Sequence, residues 1–300
     1  MSEHISIFCA TDENYAPFAS IMMKSILMHT DSFVDFYIMD GGIKKKTKKL
    51  IDKDLKKYPN KELHFVDMKK YDFSQFPSIA PFTVNTYSRY FIPDIAPHLD
   101  KAIYLDVDTI VKKDIKILFE LDMGEYPIAA ISETDYFTKH TINMLRANAM
   151  PNYKETSAYF NSGVLLLDIQ KLIAMDFTKK AAELTSQLYS KISFPDQDIL
   201  NILFEDNYKK LDYRFNFLHN ELVAFKAKYP RTTLDDLVII HYTGPKPWKE
   251  YSPFKQDFDA VAKTSIFYKQ IVKKYRSPKA SKFYLLGFIP LFKKTTPKNS

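Results

Sequence analysis

Short apolar runs alternate with segments of helical periodicity along the first half of this chain. That pattern points to one simple solution, an α/β sheet built from successive strand and helix units with helices laid on its faces. Ile5 to Ala10 reads as the first strand. Pro17-Phe18 then opens a helix with apolar residues at Phe18, Ile21, Met22 and Ile26, ending near His29. Val34 to Met39 is a second strand, closed by Asp40-Gly41-Gly42. Lys44 to Lys57 is a helix that turns Leu50, Ile51 and Leu55 inward and its lysines to water. Leu63 to Val66 is a third strand, and Thr86 to Ile92 has a helical pattern that Pro93 and Pro97 interrupt. Farther on, Ile128 to Ile131, Gly163 to Leu167 and Leu237 to Ile240 read as buried strands, Leu172 to Tyr189 as an amphipathic helix and Asp198 to Phe204 as a short one.

The 300 residues, 46% of them hydrophobic, can bury one large core, and a single catalytic domain is the simplest organisation. Six glycines leave little room for the glycine-rich loops of P-loop or dinucleotide-binding folds. The one cysteine, Cys9, sits in an apolar run, so no intramolecular disulfide is expected and a reducing cytoplasm fits. Met1-Ser2-Glu3-His4 does not begin an export signal, and no apolar stretch reaches the roughly 18 residues of a membrane span. The net charge of +7 is concentrated at one end. From Ala260 to Ser300 there are ten Lys or Arg and no Asp or Glu, which leaves 33 basic against 36 acidic residues before them. A nucleic-acid partner is therefore not expected. The composition changes after Trp248 and again near Ser277-Pro278, which divides the chain into residues 1–255, a catalytic body, and 256–300, a tail. Its lysines are interleaved with Phe267, Tyr268, Phe283, Tyr284, Leu285, Leu286, Phe288, Ile289, Leu291 and Phe292, a composition suited to peripheral contact with the anionic cytoplasmic face of a membrane. Packing of the same apolar residues back on the body is the alternative.

Ala102-Ile103-Tyr104-Leu105 leads straight into Asp106-Val107-Asp108. Residues i and i+2 of a strand point to the same side, so both carboxylates can face one ion, and oxygen donors suit Mg²⁺ or Mn²⁺. By itself such a triplet is a common turn-capping arrangement. His241 follows the apolar run Val238-Ile239-Ile240 and can add an imidazole nitrogen, shifting the preference toward Mn²⁺; Lys246 adds a cation for a diphosphate. Pro195-Asp196-Gln197-Asp198 opens a helix, where the acids either cap it or hydrogen-bond sugar hydroxyls. Phe160-Asn161-Ser162-Gly163 is a compact polar turn beside a strand.

In order, the strings Ala10-Thr11-Asp12-Glu13-Asn14-Tyr15, Thr86-Tyr87-Ser88-Arg89-Tyr90, Tyr104 to Asp108, Phe160 to Val164, Asp196-Gln197-Asp198, Arg214-Phe215-Asn216 and His241 to Trp248 resemble the motifs of family 8 glycosyltransferases, over about residues 5 to 250. That family includes bacterial lipooligosaccharide galactosyl- and glucosyltransferases and glycogenin. The resemblance implies a GT-A fold, a Rossmann-like mixed sheet flanked by helices, and retaining transfer of glucose or galactose from a UDP-sugar. The implied acceptor is a lipid-linked oligosaccharide, a capsule or wall glycan, or a glycoprotein. It also implies Mn²⁺, with Mg²⁺ as a substitute, on Asp106, Asp108 and His241. By matching position, Ala10, Thr11, Asp12 and Asn14 hold the uridine, with Val107 beside it. Gly244 and Lys246 hold the diphosphate, and Arg89, Asn161, Ser162, Asp196 and Gln197 the sugar. Gln197 and Asp196 are the implied catalytic pair. An amide is a poor nucleophile, which favours a front-face route over a double displacement. Where some relatives have an acidic acceptor-site residue, a gap-free count places Glu133, and the stretch from Gly244 to Lys246 is one residue shorter than in some relatives.

Rival readings are weaker on the residues. Leu105 to Val111 nearly reproduces the nucleophile motif of haloacid-dehalogenase phosphatases, yet no glycine here is followed by the Asp that those enzymes need. A nucleotide-sugar pyrophosphorylase is expected to carry a glycine- and basic-rich loop where Ala10 to Asn14 stands. A membrane-associated carbohydrate-binding protein with a degenerate transferase fold is opposed by the intact Asp106, Asp108, Gln197 and His241.

Overall fold

The computed structural model describes residues 4–74, 76, 84–249 and 252–276. In chain order its strands are β1 (Ile5–Thr11), β2 (Val34–Asp40), β3 (Lys61–Asp67), β4 (Lys101–Leu105), β5 (Thr109–Val111), β6 (Ile128–Ala130), β7 (Val164–Asp168), β8 (Lys209–Lys210), β9 (Phe217–Leu218) and β10 (Ile239–His241). The helices are α1 (Ala16–Leu27), α2 (Lys45–Leu55), α3 (Ile92–Ile95), α4 (Lys116–Phe119), α5 (Asp135–Asn148), α6 (Ile169–Ala174), α7 (Phe177–Leu188), α8 (Pro195–Leu203), α9 (Leu222–Lys228), α10 (Lys255–Ala262) and α11 (Tyr268–Ile271).

Seven strands form a mixed sheet in the order β3-β2-β1-β4-β7-β6-β8, and β5-β10-β9 form a smaller one. β1 pairs in parallel with β2 on one side and with β4 on the other, whereas β7 runs antiparallel to β4. The chain therefore winds outward through β2 and β3, then returns to the far side of β1. At such a reversal the loops leaving the two central strands diverge and open a crevice beyond their carboxyl ends. Here those ends are Thr11 and Leu105, the residues before Asp12 and Asp106.

Alternation along β1 feeds two cores. Ile5, Ile7 and Cys9 pack with Phe18, Met22 and Ile26 of α1, while Phe8 joins Tyr104, Leu165 and Tyr90 on the opposite face. Each fully buried large side chain contributes about 1.5–3 kcal/mol. Beneath α1 the buried Lys24 ammonium lies 2.6 Å from Asp54, and it donates to the Thr264 carbonyl at 3.0 Å. Asp54 also accepts from Ser20, Ser265 and the Ile266 amide, which ties α1 and α2 to the segment after α10. Residues 256–276, assigned to the tail by composition, supply Phe258, Val261, Ala262, Phe267 and Ile271 to the first core, next to Trp248 and Phe18. Tyr268 packs against the same cluster; the other apolar tail residues, Phe283 to Phe292, lie outside the described residues. No helix among the described residues is long and apolar enough to cross a membrane.

Several elements differ from expectation. The helix expected over Leu172 to Tyr189 is two, α6 and α7, because Asp176 between them adopts a left-handed conformation with φ 54°. Val84–Phe91 is a 3₁₀ segment and Pro93 does not interrupt it but opens α3, where proline's missing N–H costs nothing. The last core strand is displaced toward the carboxyl end, so that His241 lies within it. Helix α5 was not anticipated: among its residues of described burial, Ile142 and Leu145 are the buried apolar ones, in largely polar surroundings that set no clear period.

Candidate functional site

The Asp106-Val107-Asp108 triplet lies in the gap between β4 of the large sheet and β5 of the small one. Leaving the first sheet frees the backbone to turn both carboxylates toward a third element. The Asp106 amide still donates to the Gly163 carbonyl at 2.7 Å, and Thr109 Oγ1 donates to the Asp106 carbonyl at 2.8 Å, so the turn is held at both ends. Antiparallel pairing sets His241 of β10 opposite Thr109 of β5. His241 Nε2 is then 3.3 Å from Asp108 Oδ1 and 3.8 Å from Asp106 Oδ2. Its Nδ1 is 3.0 Å from Asn216 Oδ1, an outer partner that fixes the ring orientation.

One ligand atom from each of Asp106, Asp108 and His241 lies within 4.8 Å of the others, the span of three ligands around one ion. Gly163 guards the space between them. A Cβ there would stand 2.2 Å from His241 Cε1 and 2.6 Å from Asp106 Oδ2, so a side chain would collide with the triad. Two oxygens and one imidazole nitrogen, held by outer partners around a space that a side chain at Gly163 would close, fit a divalent metal.

The second wall is built around Arg89, which is buried between the 3₁₀ segment and the sheet. Its Nη2 donates to Asp106 Oδ1 at 3.0 Å, while Nη1 reaches Asp196 Oδ2 at 2.9 Å and the Ser162 carbonyl at 2.7 Å. Asp196 also accepts from Thr86 Oγ1 at 2.6 Å and Ser162 Oγ at 3.0 Å. Gln197 Oε1 accepts from the Ser162 amide at 3.0 Å and from Asn161 Nδ2 at 3.2 Å. Asn161 also donates to Glu133 Oε1 at 2.9 Å, and its own Oδ1 receives Asn216 Nδ2 at 2.9 Å. A continuous chain of hydrogen bonds thus joins His241, through Asn216 and Asn161, to Gln197.

Electrostatics follow from this enclosure. Burial pushes the Asp106 carboxyl up, and the pull of Arg89 only partly offsets it. Burial acts the same way on Asp108, but Lys246 and His241 beside it win and hold it well below the usual carboxylate range. Lys246 donates to Asp108 Oδ2, and that carboxylate keeps its ammonium protonated despite burial. Glu133 has no cation to compensate it, and burial pushes it up to about 8.

These walls enclose a cleft of about 540 Å³ that brings together Ala10, Thr11, Asp12, Arg89, Asp106, Val107, Asp108, Glu133, Asn161, Ser162, Asp196, Gln197, His241, Gly244 and Lys246. Asn14 is not among its lining residues. It is exposed, with its Oδ1 3.5 Å from Lys274 Nζ, in a separate depression against the last helix. Asp198 is turned away into the core, where it accepts from Tyr159 and from the Ser193 and Phe194 amides, the capping role that its place at a helix start allows. Sequence reasoning did not single out Phe137, Phe194, Asn220 or Glu221, which also line the cleft. Phe137 belongs to the unanticipated α5, and the others sit in connections without periodicity.

Residues 6–252 match the profile of glycosyl transferase family 8. The chain is 27% identical to a lipopolysaccharide 1,2-glucosyltransferase of Escherichia coli over 94% of its own length and 86% of the relative's. It is 25% identical to a lipopolysaccharide 1,3-galactosyltransferase of Salmonella typhimurium, over 84% and 75%. The crystal structure of the galactosyltransferase LgtC in complex with donor and acceptor sugar analogs superposes with a TM-score of 0.74 at 26% identity, covering 87% of this chain and 96% of that one. With the GT-A architecture, the cleft at the strand reversal and a family match across most of its length, the chain belongs to glycosyl transferase family 8.

Proposed function

We propose that this glycosyltransferase moves a hexose, glucose or galactose, from a UDP-sugar to a glycan acceptor with retention of anomeric configuration. The observation that carries this reading is the convergence of Asp106, Asp108 and His241 on one side of a cleft whose other side presents Asn161, Asp196 and Gln197. Mn²⁺, or Mg²⁺ in its place, held by the triad supplies positive charge where the diphosphate leaves. Ala10, Thr11, Asp12 and Val107, at the carboxyl ends of β1 and β4, receive the nucleoside. Gly244, whose φ of 74° brings its backbone around without a side chain, and Lys246 flank the diphosphate. Lys246 is ion-paired with Asp108, and phosphate oxygens would give it a second anionic partner.

The engaged state of the far wall supports a front-face route. Asp196 is the carboxylate on this wall, but the Arg89 ion pair and hydrogen bonds from Thr86 and Ser162 already engage both of its oxygens, and a carboxylate so held is a weak nucleophile. Gln197 is an amide whose oxygen accepts from Asn161 and Ser162. The two residues instead steady positive charge developing on the sugar ring, Asp196 by its charge and Gln197 by its dipole, while the departing phosphate oxygen takes the proton of the acceptor hydroxyl. Glu133 stands where the acceptor approaches. By analogy with the lipopolysaccharide transferases, the acceptor is a lipid-linked oligosaccharide, met by residues 277–300 at an anionic membrane surface.

Incubation with UDP-[¹³C]glucose or UDP-[¹³C]galactose, Mn²⁺ and a lipid-linked oligosaccharide acceptor, read by UDP release and by the anomeric coupling of the glycosylated product, tests this. An α-linked product from the α-donor supports retention; a β-linked product, or no turnover with either donor, refutes the proposal. Deletion of residues 277–300, which spares the segment that packs into the core, is expected to abolish cosedimentation with phosphatidylglycerol vesicles. Undiminished binding would refute the membrane role.

A further inference from the structure

The amino ends of the sheet strands carry a second cluster of ligand-bearing side chains, outside the donor cleft. Asp35 of β2 and Glu62 of β3 are register partners, Tyr37 and His64 are the next pair on the same face, and one ligand atom from each of Asp35, Glu62 and His64 lies within 4.8 Å of the others. His64 Nε2 is 3.2 Å from Asp35 Oδ1, and its Nδ1 is 4.0 Å from Glu62 Oε1. Ligands about 2.0–2.1 Å from a tetrahedral Zn²⁺ stand about 3.3 Å apart, so small side-chain rotations complete the set.

Two features separate this cluster from an ordinary surface ion pair. Asp35 and Glu62 are like charges at register partners on one face of adjacent parallel strands, a repulsion that a shared cation relieves. Asp35 and His64 are also positioned by neighbouring side chains, whereas Glu62 is exposed and swings in to complete the set. The His64 ring stacks on Tyr37 with centroids 4.7 Å apart, and His4, stacked on Phe33 at 4.5 Å, sets its Nδ1 2.8 Å from the second oxygen of Asp35. An outer partner on a carboxylate ligand is the usual support of a metal centre.

We infer that Asp35, Glu62 and His64 form a second divalent-cation site, with His4 positioning Asp35 and Zn²⁺ as its probe. An imidazole nitrogen with two carboxylates is a donor set that suits Zn²⁺. β1 runs from Ile5 to Thr11, which puts the site about 20 Å from the cleft. The ion's role is therefore structural: it clamps edge strand β3 to β2.

The test uses the tag-free full chain, stripped with chelator and titrated with Zn²⁺ against a chromophoric competitor. In an Asp106→Asn/Asp108→Asn background, which disables the triad, one equivalent of Zn²⁺ is expected to bind and to raise the melting temperature. Adding His64→Ala is expected to abolish that binding. The near-isosteric Glu62→Gln is expected to weaken it, and His4→Ala to weaken it about tenfold. His64→Ala in the wild-type background is expected to leave UDP release unchanged. Absence of Zn²⁺ binding in the background variant, or binding unaltered by both His64→Ala and Glu62→Gln, would overturn the inference.

Discussion

Gly163→Ala is the smallest change that reaches the metal triad without touching a ligand. The added methyl meets His241 Cε1 at 2.2 Å, Asp106 Oδ2 at 2.6 Å and His241 Nδ1 at 3.0 Å. Ordinary contact begins near 3.4 Å, so the imidazole must retreat by about 1.2 Å or Gly163 must move. Neither is free to do so. The ring is held from behind by Asn216, and the Gly163 backbone accepts from the Asp106 amide while donating to Asn161 Oδ1. Overpacking of this kind costs about 1–3 kcal/mol of stability. Displacement of a catalytic group by roughly 1 Å costs about 10²-fold in rate, or about 2.7 kcal/mol in the barrier. The folded variant is therefore expected to show weakened Mn²⁺ binding by calorimetry and about 10²-fold slower UDP release, with a smaller loss of stability in urea. Wild-type turnover and Mn²⁺ affinity in Gly163→Ala would refute the claim that these three side chains share an ion across this gap.

Arg89→Lys keeps the charge but not the planar fork that reaches Asp106, Asp196 and Ser162 together; UDP release is expected to fall about 10²-fold, and an unchanged rate would show the fork to be dispensable. Burial holds the Glu133 carboxyl up at about 8 against an ordinary 4.5, so its contribution to stability is fully present below 4.5 and is lost as pH rises to about 8. The unfolding free energy of wild type minus that of Glu133→Gln should accordingly fall through this window, by up to about 1.4 kcal/mol for each pH unit; a flat difference from pH 5 to 9 would contradict the raised value. Lys24→Met leaves Asp54 buried beneath α1 without its cation, and urea denaturation is expected to show a loss of about 3–5 kcal/mol, against about 0–1 kcal/mol for an exposed pair.

The first two strands and their helices were legible because each strand is an apolar run followed by a helix of clear period. β1, α1, β2 and α2 lie where the alternation places them, within a residue or two. The site was legible for a different reason, since its charged and amide residues stand at strand ends and at the start of α8, in an order that resembles one family. Residues set by side-chain direction were not legible. Asn14 and Asp198 belong to matching strings, but one faces solvent beside Lys274 and the other caps its own helix. Asn216 lies in a matching string with no role attached to it, and its bonds to both His241 and Asn161 supply one. The break at Asp176 depends on a single left-handed residue that apolar periodicity cannot register.

Calorimetric titration of UDP into the full chain, with and without Mn²⁺, tests most directly whether the donor site is built on Asp106, Asp108 and His241. UDP is expected to bind at least about tenfold more tightly with the metal present, a gain of about 1.4 kcal/mol. That gain should vanish in the Asp106→Asn/Asp108→Asn variant. Equal affinity in Mn²⁺ and in chelator, or a gain that survives the double substitution, would contradict it.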